Sequence, residues 1–420
     1  VVYKGNKRSL GLSQITNLLD LAGNNEIDGV PCHGNKELLT GILRGEMGFD
    51  GVIMADGVAI DRLDVMTGDN TLSGATAFKS GVDVSLWDQG FTKLEEAYDK
   101  GLISLEELDE AVFRVLKLKF EMGLFENPYL KEEDISGKYT CKNHPKALEL
   151  ARESVCLLKN EEHVLPLDAR KIHSIAVIGP NADEIYHQLG DYTPPVKSNE
   201  GITVLQGIRD FIKSNGEDTE VKYAKGCGLL SKDEDYIKEA MELAEECDCI
   251  ILALGGSSSR FGGADFDTNG AANRSGIMDM DCGEGMDSAD LQLPGLQNRL
   301  ANAIAEKAKA EKKPVITVLI QGRPYAVSEI DACSNAMLCA FYPGMVGGQA
   351  IAEIIFGKIC PSGHLPVSLP RHAGQLPVYY NYKDSYKAMS YSNMEDTPLY
   401  PFGYGLSYTD FRYDKTELRF

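Results

Sequence analysis

The chain has 420 residues and a mass of 45.9 kDa, and its 42 Lys and Arg against 63 Asp and Glu give a formal charge of −21 at pH 7. That acidity excludes a phosphate-backbone or anionic-membrane binder as the default, and the length excludes a small scaffold stapled by disulfides or metal. At roughly 150 residues per domain, two or three domains are expected, and 43% hydrophobic with 25% charged residues is an ordinary globular composition.

Residues 1–10 include Lys4, Lys7 and Arg8 with no apolar stretch behind them, so neither a signal peptide nor a membrane span is predicted. The ten cysteines are scattered, and only Cys247 and Cys249 stand close together. Reduced, buried thiols in a reducing, cytoplasmic setting are the expectation, and no metal-ligand spacing accompanies the pair.

In chain order, the apolar run at 51–54 stops at Ala55-Asp56-Gly57 and predicts a buried strand ending at a turn. A second run, Val82-Asp83-Val84-Ser85-Leu86, follows a helical stretch at 76–80, and strand, helix, strand is the pattern of a parallel α/β layer. Ser104 and Glu107 form a capping box, after which Leu105, Leu108, Val112, Val115, Leu116 and Phe120 recur at helical spacing as far as Gly123. Residues 127–144 turn polar, with Pro128 and Gly137, and predict a linker.

A second α/β pattern follows, with apolar strands predicted at 175–180, 250–256, 315–320 and 337–340 and helices at 235–246 and 295–310. An open, mostly parallel sheet covered on both faces is the natural closure. Between Ser257 and Asp290 the chain is rich in Gly, Ser and Asp, too long a loop for a compact domain unless it is functional. The tail beyond Gln375 is rich in Tyr and Pro.

Two carboxylates are candidates for chemistry. Asp56 ends a predicted parallel strand, where α/β barrels and open sheets place active sites, although helix N-capping explains such an acid as well. Glu284 lies in Asp281-Cys282-Gly283-Glu284-Gly285-Met286-Asp287, where flanking glycines let the backbone approach a ligand, although a solvated loop has the same composition. A pair of carboxylates fits glycoside hydrolysis. A nucleotide site at Leu254-Gly255-Gly256-Ser257-Ser258 is disfavoured, because no Gly-x-Gly-x-x-Gly or Walker sequence follows a strand.

Several segments carry a resemblance. Asn25-Glu26-Ile27-Asp28-Gly29-Val30-Pro31, Leu38-Leu39-Thr40-Gly41-Ile42-Leu43-Arg44 and Gly48-Phe49-Asp50-Gly51-Val52-Ile53-Met54-Ala55-Asp56 are similar to the late-barrel signature of glycoside hydrolase family 3. The similarity continues through Gly81 to Trp87, Arg114 to Phe125, Leu157-Leu158-Lys159-Asn160, Gly344 to Ala350 and Pro361 to Pro366, and covers the chain from roughly Asn25 onward. The resemblance implies the C-terminal part of a (β/α)8 barrel followed by an α/β sandwich domain with a mostly parallel sheet. It divides the chain into a partial barrel at 1–126 with 1–24 unmatched, a linker at 127–145, the sandwich at 146–385 and a tail at 386–420 leading toward an absent fibronectin-like domain.

The implied function is that of a retaining exo-β-glycosidase, a β-glucosidase in the first instance, with a β-xylosidase as alternative. Asp56 would be the nucleophile and Glu284, reaching over from the second domain, the acid/base. Asp83 stands between a pocket-floor acid and a structural hydrogen-bonder, and Trp87, the only tryptophan, between a sugar-stacking ring and core packing. No cofactor or metal is implied, and the partners are β-glucosides or oligosaccharides, with a homo-oligomer or a chain completing the barrel as further candidates.

Three departures from the family pattern stand out. Gly57 replaces the Trp or Tyr that often follows the nucleophile, and Ser288 replaces the Arg that commonly follows the Asp matching Asp287. Only 1–126 precede the linker, against about 250 residues for a complete barrel, and the Lys-His pair that grips sugar hydroxyls in the family has no counterpart in the sequence. These departures keep open a noncatalytic carbohydrate-binding or interaction protein descended from the hydrolase.

Overall fold

The computed structural model describes residues 25–131, 133, 145–194, 196, 200–259, 279–284, 286–381, 391–410, 412, 414, 415 and 417. Most of the predicted linker, the middle of the 257–290 loop, Gly285, part of the tail and residues 1–24 lie outside them. The chain divides into two compact units, Val1–Ser136 and Gly137–Phe420.

In the first unit a short antiparallel pair, Glu26–Ile27 with Val30–Pro31, leads into a helix of wide pitch, Glu37–Glu46, in which Met47 N–H reaches back to Ile42 O. Its apolar side (Leu38, Leu39, Leu43) packs with Ile53, Ala55, Ile60, Leu63 and Val82. Helix α1 (Asn70–Ser80) begins earlier than its sequence predicts, because Asp69 caps it by accepting from Leu72 N–H at 3.0 Å. Helix α2 (Leu105–Glu121) carries the predicted capping box, with Glu107 N–H donating to Ser104 Oγ at 3.2 Å and Ser104 N–H to Glu107 Oε2 at 2.9 Å. Only Ala111 of α2 is buried.

The two strands predicted in this unit shrink to a single parallel rung, Met54 with Val84. The physical reason is local. Asp83 N–H and Val84 N–H both turn to Ile53 O, while Ile53 N–H is taken by the Asp83 carboxylate at 2.9 Å instead of a ladder carbonyl.

The second unit is built on six strands: β1 (Cys156–Asn160), β2 (Ser174–Ile178), β3 (Glu220–Ala224), β4 (Cys249–Gly255), β5 (Val315–Ile320) and β6 (Ala336–Phe341). Their order is β1-β6-β5-β4-β2-β3, parallel except for β1, which pairs antiparallel with β6 through Cys156 and Cys339. Period-two alternation sends Ile178, Ile250, Leu252 and Leu254 to one face and Ile175, Val177, Ile251 and Val318 to the other. The first face is covered by α5 (Asp235–Glu246) and α6 (Gln297–Glu311), the second by α4 (Val204–Ser214) and α8 (Gly347–Ile355). The remaining helices are α3 (Pro145–Ser154) and α7 (Ser328–Cys333). Every residue of β4 is buried, and each fully buried aliphatic side chain stabilises by about 1.5–3 kcal/mol. Among the described residues, no helix is long and apolar enough to cross a membrane.

Candidate active site

The two predicted carboxylates belong to different units, and each is described in its own surroundings. Asp56 is exposed and lies two residues beyond the parallel rung, at the carboxyl end of the 53–55 segment, where Ala55 N–H donates to Val84 O at 2.9 Å. Its Oδ1 accepts from Gly57 N–H at 2.7 Å. Val58 follows with φ 60°, a left-handed conformation that a β-branched residue adopts only when the surrounding structure holds it, at a cost of about 1–3 kcal/mol. The turn after Asp56 is therefore a held turn.

The Asp83 side chain is inaccessible to solvent, and its carboxylate meets two guanidiniums: Arg44 Nη2 at 2.7 Å and Arg114 Nε at 2.8 Å. Arg44 also donates to Gly51 O at 2.8 Å and Gly81 O at 3.2 Å. Burial pulls the Arg44 guanidinium below its ordinary range, offset in part by the charge of Asp83. Through Ile53 N–H and the two guanidiniums the carboxylate ties down the segment that leads to Asp56. Arg44 and Arg114 had a sequence signal, since both lie in segments resembling the family, but nothing in their spacing pairs them with Asp83.

Trp87 is half-exposed and rests against Gly57, next to Asp56. A hollow of about 560 Å³ lined by Phe78, Phe91, Leu108, Val112, Leu86 and Trp87 lies on the apolar side of the unit, and Asp56 does not line it.

In the second unit Glu284 sits in a tight turn closed by the Gly283 and Met286 bridge, with Gly283 at φ 117°. The Tyr192 hydroxyl donates to Glu284 Oε2, and Glu284 N–H donates to Asp191 Oδ2 at 2.8 Å. Asp191 Oδ1 in turn accepts from Tyr192 N–H at 2.8 Å. The turn is moored to the end of β4: Asp281 N–H donates to Ser257 O at 3.0 Å, and Ser257 N–H to Asp281 Oδ1 at 2.9 Å. Tyr325 donates to the other oxygen of the same carboxylate, and burial together with that anion pushes the phenol well above its ordinary value.

Arg323 spans the two feet of the turn, donating to Asp281 O at 2.9 Å and to Asp287 Oδ1 at 3.0 Å. The Ser288 N–H and then Arg323 hold the Asp287 carboxyl below the usual carboxylate range. Sequence reasoning missed Asp191, Tyr192 and Arg323. They come from loops after other strands, and no periodicity links them to Glu284.

Residues 21–118 match the Glycosyl hydrolase family 3 N terminal domain and residues 155–408 the Glycosyl hydrolase family 3 C-terminal domain. A β-xylosidase of Formosa agariphila is 36% identical over 95% of this chain and 54% of its own length. A periplasmic β-glucosidase of Salmonella typhimurium is 34% identical over 92% of this chain and 52% of its own. Among solved structures, a β-glucosidase of intestinal bacteria involved in saponin metabolism superposes with a TM-score of 0.80 at 33% identity, covering 92% of this chain and 55% of that one. The β-glucosidase of Listeria innocua in complex with isofagomine gives 0.77 at 30%, covering 92% and 52%. The chain thus spans about half the length of the relatives it matches. With the C-terminal description matching 155–408, more than half of the chain, the chain belongs to glycoside hydrolase family 3.

Proposed function

We propose that this chain carries the two catalytic carboxylates of a retaining exo-acting β-glycosidase, in the first instance a β-glucosidase. The observation that carries the reading is that each carboxylate is presented at the carboxyl end of a parallel strand arrangement: Asp56 just past the Met54 and Val84 rung, Glu284 on a turn moored to the end of β4. That is where parallel α/β folds gather their chemistry. Asp56 attacks the anomeric carbon and forms a covalent glycosyl-enzyme. Glu284 protonates the departing glycosidic oxygen and then takes a proton from the water that releases the sugar. Asp83 acts by fastening the strand rather than by touching sugar. A β-xylosidase is the second reading, supported by the 36% identity to the Formosa agariphila protein of that name.

The test is chemical rescue. Asp56→Ala removes the nucleophile and should abolish turnover of an aryl β-glucoside, and azide should restore part of it as an α-glycosyl azide by occupying the vacated space. Turnover that survives Asp56→Ala with most of its rate removes Asp56 from the role. Running the same assay on aryl β-xyloside separates the two substrate readings.

A further inference from the structure

Residue 57 carries no side chain, and backbone conformation is not the reason, because Gly57 is absent from the glycines with positive φ. Space is the reason. A Cβ at this position would lie 2.6 Å from Cζ2, 2.9 Å from Cε2 and 3.1 Å from Nε1 of Trp87, closer than real carbon contacts allow. Any side chain after Asp56 would have to displace the indole.

The loop that carries the indole is joined to the one following Asp56 by a reciprocal latch. Asp88, 2% exposed, accepts from Ile60 N–H at 2.9 Å, from Asp61 N–H at 3.3 Å and from Ser85 Oγ at 2.6 Å. Asp61 answers by accepting from Gln89 N–H and Gly90 N–H, each at 2.8 Å. Each carboxylate caps the other's loop, so the backbones on either side of the Gly57 and Trp87 contact cannot separate without breaking several charge-assisted hydrogen bonds. Trp87 nevertheless remains half-exposed, at 51%. A half-exposed aromatic residue seated against Gly57 on a fastened loop, one residue from an exposed carboxylate, is arranged as a surface for a ligand rather than as core.

We propose that Gly57 and Trp87 form a matched pair in which the glycine seats the indole, and that the indole is the aromatic face against which the apolar C–H side of a β-linked pyranoside stacks beside Asp56. The proposal rests on the reading of Asp56 given above. It makes Trp87 a specificity-determining residue delivered from a separate loop to the position that a side chain at 57 would otherwise fill.

Because Trp87 is the only tryptophan, the fluorescence of the intact chain reports on this ring alone. Titration with methyl β-D-glucopyranoside and methyl β-D-xylopyranoside should give a saturable change in emission and protection from acrylamide quenching, with glycerol as the control that gives neither. Gly57→Ala should shift the starting emission by pushing the ring out of its seat and weaken the sugar response on the order of tenfold. Trp87→Phe, which keeps a smaller ring, should retain weakened binding by calorimetry, and Trp87→Ala should lose it. Far-ultraviolet circular dichroism checks that each variant is folded. An emission that answers neither glycoside up to the solubility of the sugar overturns the proposal, as does a Gly57→Ala chain that starts and titrates like the parent. Fluorescence reads Trp87 and azide rescue reads Asp56, so the failure of one is distinguishable from the failure of the other.

Discussion

Replacing Asp83 by alanine is the sharpest perturbation of the first unit. The carboxylate is inaccessible to solvent and accepts from Arg44 Nη2, from Arg114 Nε and from Ile53 N–H at 2.7, 2.8 and 2.9 Å. Removal leaves two guanidiniums, 14% and 20% exposed, facing each other without their shared counter-ion. Breaking a buried pair by deleting one partner costs about 3–5 kcal/mol, and the stranded Ile53 N–H adds about 1–3 kcal/mol. The two overlap, so about 4 kcal/mol is the expected loss, a large part of the roughly 5–15 kcal/mol that holds a domain folded. Denaturant unfolding followed by circular dichroism should show the transition of the first unit moving while that of the second stays. Asp83→Asn keeps the shape and one acceptor and should lose less stability, yet turnover should still fall, because Ile53 lies three residues before Asp56 and a small misplacement of the proposed nucleophile can cost about 10²-fold. A loss below about 1 kcal/mol for Asp83→Ala, with secondary structure intact, would refute the view that this carboxylate fastens the strand.

Other expectations follow the same logic. Glu284→Ala should slow substrates with poor leaving groups by about 10²–10⁴-fold and spare activated aryl glycosides, since only the former need the general acid; equal losses on both would redirect attention to Asp287 or Asp290. Glu353 joins α3 to α8 by accepting from Arg152 Nε at 2.6 Å and Lys358 Nζ at 2.9 Å. Burial alone would raise its carboxyl, but the hydrogen bonds from Arg152, Lys358 and Gln349 outweigh it and hold the group at about 2 against an ordinary 4.5. With the folded value depressed, its stabilisation is complete above pH 4.5 and fades as pH falls toward 2, about 3 kcal/mol in all. Glu353→Gln should accordingly flatten the acid limb of the stability profile in urea titrations between those pH values. Leu105, Val112, Phe113, Leu116 and Phe120 of α2 are all exposed, so the purified chain should self-associate in light scattering, and a monodisperse monomer would show that this stripe tolerates water.

The parts of the fold legible in the sequence are those where one physical requirement dominates. The four inner strands β2, β4, β5 and β6 are covered on both faces, so each is a continuous apolar run that advertises itself. Edge strand β3, Glu-Val-Lys-Tyr-Ala, is mostly exposed or half-buried and has no such run. Helix α8 is short and buried along nearly its whole length, and of its two polar residues Glu353 is buried and Gln349 half-buried, so no exposed polar face sets a 3.6-residue period. In the first unit the error ran the other way. Apolar runs at 51–54 and 82–86 satisfy the pattern of a strand, but a side-chain carboxylate intercepts the ladder, and a pattern of hydrophobicity cannot register that. For the site, the resemblance pointed to Asp56 and Glu284, while their supports depend on contacts between loops distant in sequence, for which a single chain offers no periodic signal.

The two local departures from the family pattern have a common structural answer, and it bears on the choice between a hydrolase and a noncatalytic descendant. Where Gly57 lacks the ring that often follows the nucleophile, Trp87 of another loop occupies the space. Where Ser288 lacks the usual guanidinium, Arg323 of another loop binds Asp287 at 3.0 Å. Motif positions record where a family usually draws a side chain from, whereas catalysis constrains only where the functional group ends up. Counted in sequence the two local departures speak against the proposed glycosidase; weighed by which groups stand beside Asp56 and Asp287, they support that proposal.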